Sequence, residues 1–271
     1  MENDSIAESI RIAVDDVLQN SSSQKKIQNL IDKHNEKIHF IPKRYRILGG
    51  LLQSMNIQFG NFLEKTITNL VSLDQRNEII TDLSGKKNVG CLASQGSFEM
   101  VDKYIDECQI NQGHDQSRLR ENFYNLLKGI IAEEKRTPQS EKVKSEHDID
   151  LLFTHNKKII YTEIKYNDDH DTGKFVDINR KILKTYAMLA NEYKIDTTDE
   201  LVPILMFFNN KRLKINPFLP EDVAIYRGER FFRAFTNFSY KEIDRLFSTI
   251  SESEEIQDKF DRLAEKILKG S

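Results

Sequence analysis

The chain has 271 residues, enough for one large domain or two small ones with a sizeable core. Hydrophobic residues make up 38% and charged residues 31%; no apolar run approaches a membrane span, and the polar, acidic start Met1 to Ser5 argues against a secretory signal. Cys91 and Cys108 lack CxxC spacing, which argues against a disulfide framework or a zinc site and favours a reducing cytoplasm, while a formal net charge of −3 requires any nucleic-acid surface to be a local gathering of basic residues.

Ile6, Ile10, Val14 and Val17 or Leu18 fall on one helical stripe, ended by the small polar run Asn20 to Ser23. A second short helix is expected over Lys25 to His34, with Ile27, Leu30 and Ile31 inward. This segment, residues 1–40, suits packing on the outside of a core, against a partner subunit or against DNA. A basic turn, Phe40 to Gly50, carries Arg44 and Arg46 and leads into a long helical pattern from Leu51 to Val71. Gly60 within it costs about 1 kcal/mol relative to alanine and predicts a break or close packing. Residues 75–97 read as loop, with short strands such as Ile79-Ile80-Thr81. A helix is predicted over 97–109; Gly113 interrupts, and Asp115 caps a further helix over 116–135, stopped by Thr137-Pro138. Gln139 to Glu146 reads as a polar connection.

The next stretch carries chemistry. His147 to Thr154 and Ile159 to Lys165 are two short apolar strands joined by a polar turn. With a two-residue turn at Asn156-Lys157, His155 faces Lys158, so Asp150 falls opposite Glu163 and Asp148 opposite Lys165. Alternate residues share a face, and opposed Cβ atoms lie about 4.5–5.5 Å apart. Opposed carboxylates destabilise a sheet unless a cation compensates them. Hard oxygen ligands suit magnesium, and lysine adds a point charge that orients water or steadies a developing oxyanion. Metal, water and lysine together suit phosphodiester hydrolysis. The bland alternative is an exposed hairpin whose polar face carries acids and a lysine.

Downstream, the acidic run Asn167 to Asp171, with His170 inside it, fits solvated turns and helix caps better than a second metal site. Lys174 could meet a phosphate at the opening of a helix predicted over 175–194, which crosses over to a parallel strand, Leu201 to Phe208. Asn209-Asn210-Lys211-Arg212 follow as a loop able to reach DNA. Val223 to Tyr226 reads as a short strand, and Arg227-Gly228-Glu229-Arg230-Phe231-Phe232 as a helix start. Helices over 239–250 and 253–269 close the chain.

The upstream acid followed by Glu163-Ile164-Lys165 resembles the PD-(D/E)xK nuclease superfamily. Its proline is absent, since His147 and Ile149 precede the two aspartates; the choice between Asp148 and Asp150 stays open, with Asp150 preferred for its pairing with Glu163. Together with the Arg44 to Gly50, Gln58 to Lys65 and Arg227 to Phe232 pieces, the whole chain resembles a type II restriction endonuclease, most like the TdeIII-type family, whose members cut interrupted palindromes such as GGNCC. The resemblance implies an α/β restriction-endonuclease-like core: a central mixed sheet flanked by helices within one nuclease domain over 1–271, with C-terminal helices over 236–271. It also implies Mg2+-dependent cleavage of double-stranded DNA to 5′-phosphates by a homodimer, and a cognate DNA methyltransferase acting on the same site. Asp150, Glu163 and the Ile164 carbonyl would hold the metal, with Glu64 or Asp148 in support, and Lys165 would act on the water. Arg44, Arg46, Lys174, Lys211, Arg212 and Arg230 are candidate DNA contacts. Two readings compete: another superfamily nuclease, in repair or junction processing, and a non-catalytic helical interaction protein. A methyltransferase is disfavoured because no strand leads into a glycine-rich loop.

Overall fold

The computed structural model describes residues 2–21, 23–35, 40–110, 115–169 and 171–270, so Ser22, Gly113 and His170 lie outside the described residues. The tight turn forms at Asn156-Lys157, both with positive φ (49° and 67°), as a type I′ hairpin turn requires. It joins β4 (Leu151–His155) to β5 (Lys158–Lys165), and antiparallel partners run from His155↔Lys158 to Leu151↔Thr162, the register expected from the sequence.

That register stops short of Asp148. Val143–Ile149 form β3, which pairs instead with β2 (Lys86–Ala93) in a separate two-stranded sheet, with His147 opposite Val89 and Ile149 opposite Lys86. Asp150 occupies the bend where the chain leaves one sheet and enters the other. The expected Asp148–Lys165 opposition therefore does not form. Residues 86–93 and 143–146 were expected to be irregular, and 147–149 to continue the strand that runs to Thr154. Much of this pair is polar or exposed, with Cys91, Ala93 and Ile149 buried, and each segment satisfies the other's backbone groups.

The main sheet has the order β1-β4-β5-β6-β7, with β1 (Asn77–Ile79) and β4 antiparallel to their neighbours and β6 (Leu201–Phe207) and β7 (Ile225–Arg227) parallel to β5. The link from β5 to β6 is the helix Thr172–Glu192, started by Asp171, whose carboxylate accepts from the Lys174 amide at 2.9 Å. With Gln95–Ile110 as α4 and Gln116–Arg136 as α5, this helix is α6, and the three pack around one core that includes Phe123, Ile130, Ile182, Tyr186 and Leu205. Asp115 caps α5 as expected, accepting from the Ser117 amide at 2.9 Å. The result is the mixed, helix-flanked sheet of a restriction-endonuclease-like fold.

Two compact units divide the chain: Ile67–Ser239 holds both sheets, and the residues up to Thr66 join those from Tyr240 onward. In the second, α1 (Glu2–Ser21), α2 (Gln24–Asn35), the first part of α3 (Lys43–Ser72), α8 (Tyr240–Ser251) and α9 (Glu254–Gly270) enclose Ile10, Leu18, Leu51, Met55, Ile250 and Leu263. Lys259 bridges Asp15 at 2.6 Å, so the two helical ends, separate additions in the sequence, share one core. The remaining helix, α7 (Gly228–Phe235), follows β7.

The basic turn expected before α3 is its first two turns, and the helix passes Gly60 without a break. A Cβ built at Gly60 meets nothing within 4 Å, and the backbone is helical. Gly60→Ala is expected to raise stability by about 0.4–1 kcal/mol, because it lowers the entropy of the unfolded chain at no steric cost. Urea unfolding of the two proteins measures this; a destabilised variant would show that the glycine meets a packing need.

Candidate active site

Glu163 and Lys165 leave β5 on one face because they are two residues apart. Asp150 reaches the same point from the bend before β4: its Oδ2 accepts from the Ile164 amide at 2.9 Å and from Lys165 Nζ at 3.2 Å. Lys165 Nζ also donates to Glu163 Oε1 and to the Ile164 carbonyl, both at 2.7 Å. The carboxylates are 3% and 1% exposed, so they depend on these partners for the hydration they have lost. Burial pushes the Lys165 ammonium toward losing its proton, but the adjacent Glu163 and Asp150 charges and their hydrogen bonds outweigh it. The net pKa is raised, and Lys165 is a fixed cation here.

Two further groups complete the shell of Glu163, and neither was singled out from the sequence. Tyr161, two residues back on β5, donates to Oε2 at 3.2 Å; complete burial raises its phenol pKa, which keeps it a neutral donor. Lys181, on α6, places Nζ 2.8 Å from Oε1 and 2.7 Å from Oε2, and 4.0 Å from Asp150 Oδ1. One turn further along α6, the Thr185 hydroxyl donates to the Lys181 carbonyl at 2.9 Å and lies 2.7 Å from His147 Nδ1. On its other side the ring places Nε2 3.4 Å from the Ser145 hydroxyl. The available sign was Lys181 itself: a lysine adjoining Ile178 and Ile182, at the edge of an otherwise apolar helix face.

Among the described residues no group of three or more His, Cys, Asp or Glu side chains is arranged to hold a metal ion. Asp150, Glu163 and the Ile164 carbonyl nevertheless converge as three hard oxygen donors bridged by one ammonium. Magnesium is commonly bound through one or two carboxylates and keeps several waters, so this donor set suits it.

A buried carboxylate pair with a lysine at the end of a central strand is the arrangement the nuclease resemblance requires. The family model of HinfI, a type II restriction endonuclease, matches residues 2–251. The chain belongs to the HinfI family of type II restriction endonucleases. It is 45% identical over 268 residues to the type II restriction enzyme HinfI of Haemophilus influenzae, covering 98% of each chain. No solved structure matches it. The restriction-endonuclease expectation thus holds, and the matching family carries the name HinfI where the sequence suggested a TdeIII-type relative. No helix among the described residues is long and apolar enough to cross a membrane.

The other expected site residues of this HinfI-family endonuclease are dispersed. Asp148 accepts from the Asn88 amide at 2.8 Å and pairs with Lys87 at 3.6 Å, with its side chain 40% exposed; it stands on β3 rather than opposite Lys165. Lys174, Lys211 and Arg212 are exposed on the sheet-containing unit, Lys174 in the first turn of α6 and the others in the loop after β6. Glu64, Arg44 and Arg46 belong to the helical unit: Glu64 is half-buried on α3, and Arg44 lies over the Tyr45 ring, 5.0 Å from its centroid.

Arg230 is bound to its own chain. Its guanidinium donates to the carbonyls of Glu221, Ile225 and Asp222 at 2.6–2.8 Å and stacks 3.9 Å from the centre of the Tyr226 ring. These bonds fasten the segment before α7 and use three of the five guanidinium N–H donors. The acidic run after β5 resolves into turn chemistry, as its composition suggested. Asp171 caps α6, and Asp168, 1% exposed, accepts from the amides of Leu213 and Lys214 and from Arg227 Nη2 at 3.0 Å. Asp168 therefore orders the loop that carries Lys211 and Arg212.

Asp168→Ala is expected to cost about 1–3 kcal/mol in urea unfolding, because it leaves two amides without their acceptor and removes one of the two carboxylate partners of Arg227, the other being Glu221 at 2.8 Å. A loss under about 1 kcal/mol, the range of an exposed pair, would contradict that role. His147 yields a second prediction. Burial, then the charges of Lys181 and Lys184, lower its pKa below the ordinary 6.5, against a smaller opposing effect of Asp148. The folded protein thus binds fewer protons at this site than the unfolded chain. Its contribution is intact above about 6.5 and is lost as pH falls through the lowered value. NMR titration of the histidines should place His147 below 6.5, and a midpoint above it would refute the assignment.

Proposed function

We propose that this endonuclease cuts double-stranded DNA within a short palindrome by Mg2+-dependent hydrolysis, as the restriction component of a restriction–modification system. The observation that carries this is the convergence of Asp150, Glu163, Lys165 and the Ile164 carbonyl at the end of β5 in a HinfI-family chain. Asp150, Glu163 and the carbonyl would hold the cation, and bound there it would supply a nucleophilic water at neutral pH and positive charge against the scissile phosphate.

The chain's own groups account for the rest. Lys165, kept protonated by its two carboxylates, acts as a fixed point charge: its three N–H groups hold Asp150, Glu163 and the Ile164 carbonyl together beside the attacking water, and its charge offsets the charge building on the phosphoryl oxygens. Water adds to phosphorus in line, the bond to the 3′ oxygen breaks, and the products are a 5′-phosphate and a 3′-hydroxyl. Tyr161 and the Ile164 amide hold the carboxylates in place, and burial excludes competing water. Asp148 is an auxiliary acid in this proposal, and Lys174, Lys211, Arg212, Arg44 and Arg46 are candidate backbone or base contacts. A palindromic target calls for a two-fold homodimer, and a methyltransferase of the same specificity protects the host without having to bind this protein. The GGNCC-like target belonged to the TdeIII-type resemblance; within the HinfI family the proposal stops at a short, interrupted palindrome.

Digestion of unmethylated phage DNA with magnesium is expected to yield discrete fragments whose sequenced ends share one motif, and a chelator should abolish cutting. Lys165→Ala and Glu163→Gln should each reduce single-turnover cleavage by at least about 10²–10³-fold, the scale of losing a transition-state charge contact, while retaining DNA binding in a gel-shift assay. Wild-type cleavage rates in Lys165→Ala would refute the assignment of the site.

A further inference from the structure

Glu163 accepts four hydrogen bonds: one from Tyr161, one from Lys165 and two from Lys181. A carboxylate offers about four lone-pair sites, so its acceptor capacity is filled. A divalent cation on Glu163 therefore has to displace a donor, and the three are not equally held. Tyr161 is fully buried. Lys165 Nζ has three N–H donors and three acceptors, on Asp150, Glu163 and Ile164, so its place does not depend on Glu163 alone. Lys181 makes both of its bonds to Glu163. It reaches the site from α6 on a flexible stem, and its side chain is 29% exposed. Charge points to the same residue: a divalent cation added beside two ammonium groups is repelled, and Lys181, hydrogen-bonded to Glu163 alone, gives up fewer acceptor groups than Lys165 when it turns toward water.

We propose that Lys181 competes with the divalent cation for Glu163, and so sets the cation concentration at which the enzyme begins to cut. Lys181 is then a positioning residue. It holds both oxygens of Glu163 until the cation takes its place. This rests on the reading of Asp150 and Glu163 as the metal-holding pair. A purely structural counter-ion differs in sign: removing it would loosen Glu163 and weaken cation binding, whereas removing a competitor strengthens it.

The test is calorimetric titration of chelator-treated full-length protein with MnCl2 and MgCl2, beside the magnesium dependence of cleavage. Lys181→Met, and Lys181→Gln as a second variant should the first misfold, are expected to bind the cation about tenfold more tightly and to reach half-maximal cleavage at correspondingly lower magnesium, as follows from removing a unit charge that lies 2.7–2.8 Å from the Glu163 oxygens and 4.0 Å from Asp150. Lys181→Arg should remain near wild type. Lys184→Met removes a neighbouring charge of α6 that is bonded to Asp102 at 2.8 Å, and it should also leave the affinity unchanged. Unchanged or weaker cation binding in Lys181→Met and Lys181→Gln overturns the proposal, as does equal tightening in Lys184→Met. Glu163→Gln keeps the two failures apart: if it binds the cation as wild type does, the metal-site reading falls, and if it loses the cation while the Lys181 variants stay unchanged, only the competition falls.

Discussion

Two carboxylates buried side by side are the constraint around which the sheet-containing unit is arranged. Desolvating an ion costs several kcal/mol, and placing a second like charge next to it adds repulsion. Asp150 and Glu163 are both almost wholly enclosed, and the structure answers with two lysines, one tyrosine hydroxyl and one backbone amide. A pair held this way contributes little to net stability, since apolar residues could fill the same volume. Its retention makes sense as function, and the chemistry it suits is a hard cation beside a phosphate.

Each part of the fold delivers one member of that set. The type I′ turn fixes β4 against β5, so Glu163 and Lys165 share a face in a known register. The change of sheet at Asp150 frees its carboxylate from a ladder position and aims it back at the Ile164 amide and Lys165. α6, the crossover to β6, brings Lys181 over Glu163 from the side opposite the hairpin turn in sequence, and its register is held by Thr185 and His147. Asp168 and Arg230 have structural tasks nearby: one gathers the loop after β6, the other the segment before α7. Basic residues near a nuclease site therefore differ in availability. Arg230 gives three of its five donors to carbonyls, whereas Lys211 and Arg212 stand exposed.

Much of this was legible because local rules suffice for it. Apolar spacing located α1, α2 and α4 to α6 within a few residues of their ends, and aspartates marked the caps of α5 and α6. β2 and the first part of β3 were missed because much of them is polar or exposed; their pairing spans about fifty intervening positions, which no local window contains. Gly60 predicted a break that α3 does not show, since a helix tolerates a glycine when its neighbours on both sides propagate well.

The amino-acid sequence alone determined the hairpin and, once a two-residue turn is taken at Asn156-Lys157, its register, which puts Glu163 and Lys165 on one face; the bend between the two sheets is what brings Asp150 to them. The same residues carried the resemblance to restriction endonucleases. Tertiary structure decided what surrounds them. It removed Asp148 from the face of Lys165 by pairing β3 with β2, turned Arg230 into a staple, and united the two helical ends in one core. It also brought Lys181 onto Glu163. A lysine eighteen positions downstream on another element becomes a neighbour only when α6 packs back over the sheet, and that packing depends on burial summed over the whole core rather than on any local pattern.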